Sequence, residues 1–312
     1  MPARYPVVLV AAFLLAAAAL WAVMLLVSST AHAGWTEQTV TSTNMLSVVD
    51  AVDENVVWAV GDDRQVFRTI DGGANWILRS TPSGNHSAVW AFDADRCVVA
   101  GASGIFWRTT DGGLTWTDVH HAGTFIDGIH FFDSLNGWAI GDPVAGQWVI
   151  RQTTDGGASW SPAPAPPTAQ GGGITRSLSW IGTQIGVFGT SQSVVWRTTD
   201  GGQNWTAITT SSQQVAGLVL DASAIGLVGG DLDIYERSTD QGATWQVLSN
   251  PALGRLLTFD WIDGTSEVWG STSQSGLFHS TDLGLSWNQH TLGSAYVAED
   301  LDFANSNVGW SV

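Results

Sequence analysis

Six aspartates share one local context, and a carboxylate repeated in a constant setting is either a chemical group or a structural one. The context is Ser/Thr-x-Asp-x-Gly-x-x-Trp. It holds Asp71 with Gly73 and Trp76, Asp111 with Gly113 and Trp116, and Asp155 with Gly157 and Trp160. It recurs as Asp200 with Gly202 and Trp205, Asp240 with Gly242 and Trp245, and Asp282 with Gly284 and Trp287. Successive aspartates lie 40, 44, 45, 40 and 42 residues apart. A carboxylate at such a turn accepts backbone N–H bonds, and the Ser/Thr hydroxyl adds a second local bond. Glycine permits positive φ where the chain reverses, and tryptophan fills space between sheets. Six identical settings therefore read as turn locks. In boxes five and six the residue after the aspartate is Gln241 or Leu283, whereas the next glycine is kept in all six, so this second glycine is the demanding one.

Other chemistry is thinly supplied. A glycosidase needs two opposed carboxylates, or a tyrosine nucleophile with a helper acid. After residue 33 the tyrosines are Tyr235 and Tyr296, and Tyr235-Glu236 are neighbours on an expected strand, pointing to opposite faces. A hydrolase of this kind is expected to bring two carboxylates or a Tyr/Glu pair to one channel mouth. Trp90, Trp180 and Trp261 recur near the ends of first strands, where they pack blades or, as a rival reading, meet a glycan. His120-His121 lacks a companion at ligand spacing, so no metal is expected. The Asp-Gly-Gly turns lack the lysine and helix of a phosphate loop, and no cofactor is expected. Cys97 lies in an apolar run and reads as core.

A formal charge of −17, with 28 acids, 11 arginines and no lysine, argues against a nucleic-acid partner. The 18 tryptophans and 12% charged residues describe a well-packed chain. Residues 1–33 stand apart. One charge, Arg4, precedes the apolar stretch from Val7 to Val27 and an Ala31-His32-Ala33 site. This is the pattern of a cleaved signal peptide, or of an uncleaved membrane anchor at residues 7–27, and either puts the rest outside the cytoplasm.

The elements that must position the boxes follow from period. Each unit has an alternating apolar run, an acidic turn, a second run ending in glycine, a third run leading into the box, and a fourth starting at its tryptophan. Such runs describe a four-stranded antiparallel sheet with two apolar faces, which radial stacking buries. Gly34–Val40 matches an outermost strand, and Glu299–Phe303 with Asn307–Val312 match the first two strands of a repeat. Six units and two half units predict an all-β, seven-bladed β-propeller over residues 34–312, its last blade incomplete, closed by the N-terminal strand. The irregular stretch from Pro162 to Gly173 is expected between two blades.

The compound pattern, as in Asn136-Gly-Trp-Ala-Ile-Gly141 and Trp107-Arg-Thr-Thr-Asp-Gly-Gly-Leu-Thr-Trp116, carries Asp-boxes of the BNR type. It resembles the propellers of the photosystem II assembly and stability factor family, which has relatives in non-photosynthetic bacteria. The resemblance implies a monomeric, non-enzymatic scaffold for a protein partner, such as a membrane-protein assembly intermediate, bound through arginines of the repeats. Matching positions are Arg68, Arg108, Arg197 and Arg237, three residues before the box aspartate, with Arg151 displaced and His279 in unit six. These arginines form either a partner-binding strip or pairs with turn acids such as Asp62, Asp142 or Asp231. Repeat-wide placement favours the second, and the acidity of the chain departs from a basic binding patch. Secreted sialidases and xyloglucan-degrading enzymes also carry Asp-boxes and remain the alternative.

Overall fold

In the computed structural model, residues 8–13, 34–40, 42, 44–169, 171–230, 234–249, 253–274, 276–290 and 297–312 are described. Most of the expected leader, and Tyr296, lie outside them.

Glycine- and aspartate-rich turns cut the chain into short strands, and each set of four pairs in sequence order as an antiparallel meander. Blade one is Leu46–Ala51, Val57–Gly61, Val66–Thr69 and Ile77–Leu78. Blade two is His86–Ala91, Cys97–Gly101, Ile105–Thr109 and Thr117–His121. Blade three is Ile126–Phe131, Gly137–Val144, Gln147–Thr153 and Ser161–Pro162. Blade four is Gly173–Ile181, Ile185–Thr190, Val194–Thr198 and Thr206–Thr209. Blade five is Val215–Leu220, Gly226–Gly230, Ile234–Ser238 and Gln246–Ser249. Blade six is Leu256–Trp261, Val268–Thr272, Leu277–Ser280 and Asn288–His290. The Pro162–Gly173 stretch runs between blades three and four.

Among the described residues the propeller therefore has six four-stranded blades, which corrects the expected seven. The physical reason lies in pairing. A blade needs four strands bonded edge to edge, whereas the two half units give two separate ribbons. Leu301–Asn305 pairs with Val308–Ser311, and Val8–Phe13 pairs with Gly34–Thr39. Gly34–Thr39 thus bonds to Val8–Phe13, which in turn lies beside Val308–Ser311.

Both faces of each sheet are buried between neighbours. Trp58, Val60 and Val66 of blade one meet Val89, Cys97 and Val99 of blade two. Trp138 and Trp148 of blade three meet Trp180, Phe188 and Trp196 of blade four. Trp269 and Leu277 of blade six meet Leu301, with Trp35 and Phe303 packed against them. Val308 and Trp310 meet Val49, Val57 and Phe67 of blade one. The ribbons thereby fill the space between blades six and one. Trp58, Trp148 and Trp310 are among the most buried side chains, each stabilising by a few kcal/mol on the usual area scale.

Candidate functional site

The six boxes form one hydrogen-bonded turn. In box four the Thr198 hydroxyl donates to Asp200 Oδ1 at 2.8 Å, and Gly202 N donates to Thr198 Oγ1 at 2.9 Å. Asn204 donates to Asp200 through its backbone N at 2.9 Å and its side chain at 2.8 Å. Boxes one, two, three, five and six repeat the set around Asp71, Asp111, Asp155, Asp240 and Asp282. These bonds hold the carboxylates below their ordinary range, Asp200 down to about 2. Such a carboxylate is committed to its turn and is a poor proton carrier at neutral pH.

The residue after the aspartate ties the box to its own blade. Gly112 N donates to Asp95 O at 2.9 Å, and Gln241 N to Ala224 O at 3.0 Å, each carbonyl lying in the turn between the first and second strands. Both positions after the aspartate have positive φ, for example 60° at Gln241 and 77° at Gly242. They differ in what stands nearby. A Cβ on Gly202 would fall 2.5 Å from the Trp138 ring of the preceding blade, and one on Gly157 would fall 2.8 Å from Val98. The second glycine is thus the point where one box presses on the blade before it.

The arginines, read either as a binding strip or as partners of turn acids, do something specific. Arg108 Nε donates to Gly156 O, Arg197 Nε to Gln241 O and Arg237 Nε to Leu283 O, each at 2.8 Å. Every acceptor belongs to the box of the next blade. Arg68, nearly buried over Trp58, bonds to Ala94 O, lies 3.7 Å from Asp95 and abuts Gly112 of the next box. Among the described residues, which do not include Asp231, Arg68 alone of these four meets a turn acid; the other three use carbonyls. Arg151 departs from the series, donating to His120 Nε2 at 3.1 Å and to Ile150 O. In unit six, His279 stacks on Trp269 and meets Glu267 at 3.2 Å. Box Trp116 donates to Arg79 O, and Trp76 to Gln38 of the N-terminal strand.

The remaining candidates scatter. Tyr235 and Glu236 are buried on a third strand, Glu236 accepting from Ser211 N and Ser212 N. His121 bonds to Asp118 at 2.6 Å, and no group of His, Cys, Asp and Glu among the described residues is arranged to hold a metal. Cys97 is buried, which pushes its thiol pKa up.

The central channel holds what the repeat pattern hides. Asp50, Trp90, His130, Ser179, Val219 and Asp260 on the first strands of the six blades, and Asp302 on the Leu301–Asn305 strand of the ribbon, occupy one register position and line a cavity of about 660 Å³. Trp180 and Trp261 line it too but are mostly buried, so Trp90 is the more open aromatic. Four of these polar groups stitch neighbouring first strands together. Asp50 accepts from Ala91 N at 2.7 Å, Asp260 from Phe303 N at 2.7 Å, Asp302 from Ala51 N and Ser179 from Leu220 N at 2.9 Å. Burial and mutual repulsion raise Asp50 and Asp260 well above the carboxylate range, and burial carries Asp302 up to about 7. Carboxyls do converge here, each with one oxygen already bound to backbone. The signal available in the sequence was an Asp in the channel-facing phase just before the acidic turn, as in Val49-Asp50-Ala51 and Leu301-Asp302-Phe303.

Fold and site together define a box-repeat β-propeller whose repeated charged residues join blade to blade. Residues 27–124 match the family described as Photosynthesis system II assembly factor YCF48. The Photosystem II assembly lipoprotein Ycf48 of Synechococcus sp. (strain CC9902) is 28% identical over 116 residues. That match spans 36% of this chain and about a third, 34%, of the relative's length. The solved structure of YCF48 bound to D1 peptide aligns with a TM-score of 0.69 at 18% identity, over 87% of this chain and 94% of that one. YCF48 from Cyanidioschyzon merolae gives 0.55 at 18% identity, over 72% and 78%. An ancestral GH74 enzyme gives 0.65 at 15% identity, over 86% of this chain and 43% of that one. The chain is a β-propeller whose residues 27–124 are similar to the photosystem II assembly factors.

Proposed function

We propose that this chain is a non-enzymatic, extracytoplasmic scaffold that holds a protein partner during assembly of a membrane complex. The match of residues 27–124 to the assembly-factor family carries the reading. It is supported by the solved relative bound to a peptide, and by box carboxylates that are engaged in their own turns. The apolar N-terminal stretch and the lipoprotein relative support the location. The proposed partner-facing arginines are the half-buried Arg108, Arg151, Arg197 and Arg237, whereas Arg68 of the same series is buried. In Arg108, Arg197 and Arg237 only Nε is spent on the next blade, which leaves the terminal N–H groups of each guanidinium for a carboxylate. Affinity purification of the full chain from membranes of its native host is expected to recover a membrane-protein subunit, such as one of a reaction centre. Recovery of none, together with hydrolysis of a sialoside or glucan, sinks the proposal.

A glycoside hydrolase or glycan-binding propeller is the second reading. Asp50, Asp260 and Asp302 in one channel, and the shared fold of the ancestral GH74 enzyme, favour it. Its test is glucan hydrolysis by the wild type and by Asp260→Asn, with loss of turnover only in the variant.

A further inference from the structure

The opposite end of the channel, at the starts of the first strands, opens into a cavity of about 550 Å³. Asp127, Asp142, Arg176, Gln214, Arg255 and Glu299 contribute its charged and polar lining. Asp127 is the extra residue of a β-bulge in the first strand of blade three. It is 4% exposed, and its Oδ2 accepts no hydrogen bond. No described donor bonds to either oxygen, and the Gly173 backbone covers one side so closely that a Cβ there would fall 1.9 Å from Oδ2. The nearby cations are engaged elsewhere. Arg176 reaches across the ring to Ser47 O at 2.8 Å and lies 3.6 Å from Glu299, and Arg255 bonds Gln214 at 2.8 Å. Asp142 accepts from Gly173 N and adds negative charge beside Asp127.

The repeat itself does not require an acid at this point. The corresponding bulged residues in blades one, two, five and six are Ser47, Ser87, Ala216 and Leu257. A buried carboxyl without a donor costs stability unless a proton or a ligand satisfies it. Three acids face two arginines at this mouth, and a chain of formal charge −17 draws cations toward it.

We propose that this mouth receives a basic side chain of the protein partner, whose ammonium or guanidinium N–H groups donate to Asp127, with Asp142 and Glu299 adding charge. The proposal rests on the scaffold reading and supplies the chemistry of one contact.

The test uses the full chain and two probes, n-butylammonium and the peptide acetyl-Gly-Lys-Gly-amide, titrated by NMR. Saturable binding is expected, at least tenfold weaker in Asp127→Asn and in Asp127→Ser, which restores the residue of blades one and two. Binding strengthens as pH rises toward 8, where Asp127 ionises among Asp142, Glu299, Arg176 and Arg255. Equal binding of acetyl-Gly-Gln-Gly-amide, equal binding by both variants, or no binding by any form overturns the proposal. Partner capture by the wild type without probe binding also overturns it, and leaves the scaffold reading standing.

Discussion

Box four supplies a sharp test, because Gly201 and Gly202 are adjacent, share positive φ and differ in surroundings. Their φ values are 68° and 80°. Alanine at either site must adopt the left-handed region, at about 1–2 kcal/mol. At Gly201 the added Cβ meets Thr183 O at 3.1 Å, which a small shift relieves. At Gly202 it meets three atoms of the Trp138 ring at 2.5, 2.8 and 3.0 Å. That ring is buried and rests 5.5 Å from Trp180, so it has no room to retreat. Overpacking adds about 1–3 kcal/mol, giving about 2–5 kcal/mol in total for Gly202→Ala. For a domain of this size that is a fall in Tm on the order of 10 °C, against a few degrees for Gly201→Ala. Thermal unfolding followed by far-UV circular dichroism measures both. Equal losses, or a neutral Gly202→Ala, refute the claim that the second glycine is fixed by contact with the preceding blade.

The arginine series predicts a gain. Gln152 occupies the third-strand position held by arginine in four other units, and Gln152→Arg is expected to reach Gly201 O and raise stability by about 1 kcal/mol. A lower Tm than wild type counts against the inter-blade role. Removing a tie, Arg237→Gln is expected to cost about 1–2 kcal/mol, read as a lower urea midpoint, with no change in the slope. The carboxyls raised by burial set a pH dependence. Asp127 at about 8 and Asp302 at about 7 hold more protons folded than unfolded, so stability falls as pH rises from about 6.5 to about 8. His86 and His130, lowered to about 4, act in the opposite direction but only below their unfolded value of 6.5. Tm measured across this window should decline, and Asp127→Asn should flatten the decline; a Tm that rises with pH there contradicts the assignment.

The box turns were legible from residue types because their bonds are local. Each bond among Thr198, Asp200, Gly202 and Asn204 spans four residues or fewer, and no distant part of the chain is needed to arrange them. Strand alternation and period likewise implied stacked four-stranded sheets. Blade number did not follow, because the half units resemble repeat strands, whereas membership of a blade depends on which edges pair. The arginines were visible as a series, but their acceptors lie 44 to 48 residues away on the next blade, so turn acids looked the better partners. Channel composition was hidden for the same reason. Asp50, Asp260 and Asp302 are far apart in the chain, and ring closure brings them to one cavity. Asp127 reads as an ordinary polar residue until the bulge and Gly173 enclose it without a donor. The sequence alone therefore determined the turn and the sheet, whose forces act over a few residues. Tertiary structure decided the number of blades and the contents of the channel, because both depend on contacts that exist only once the ring has closed.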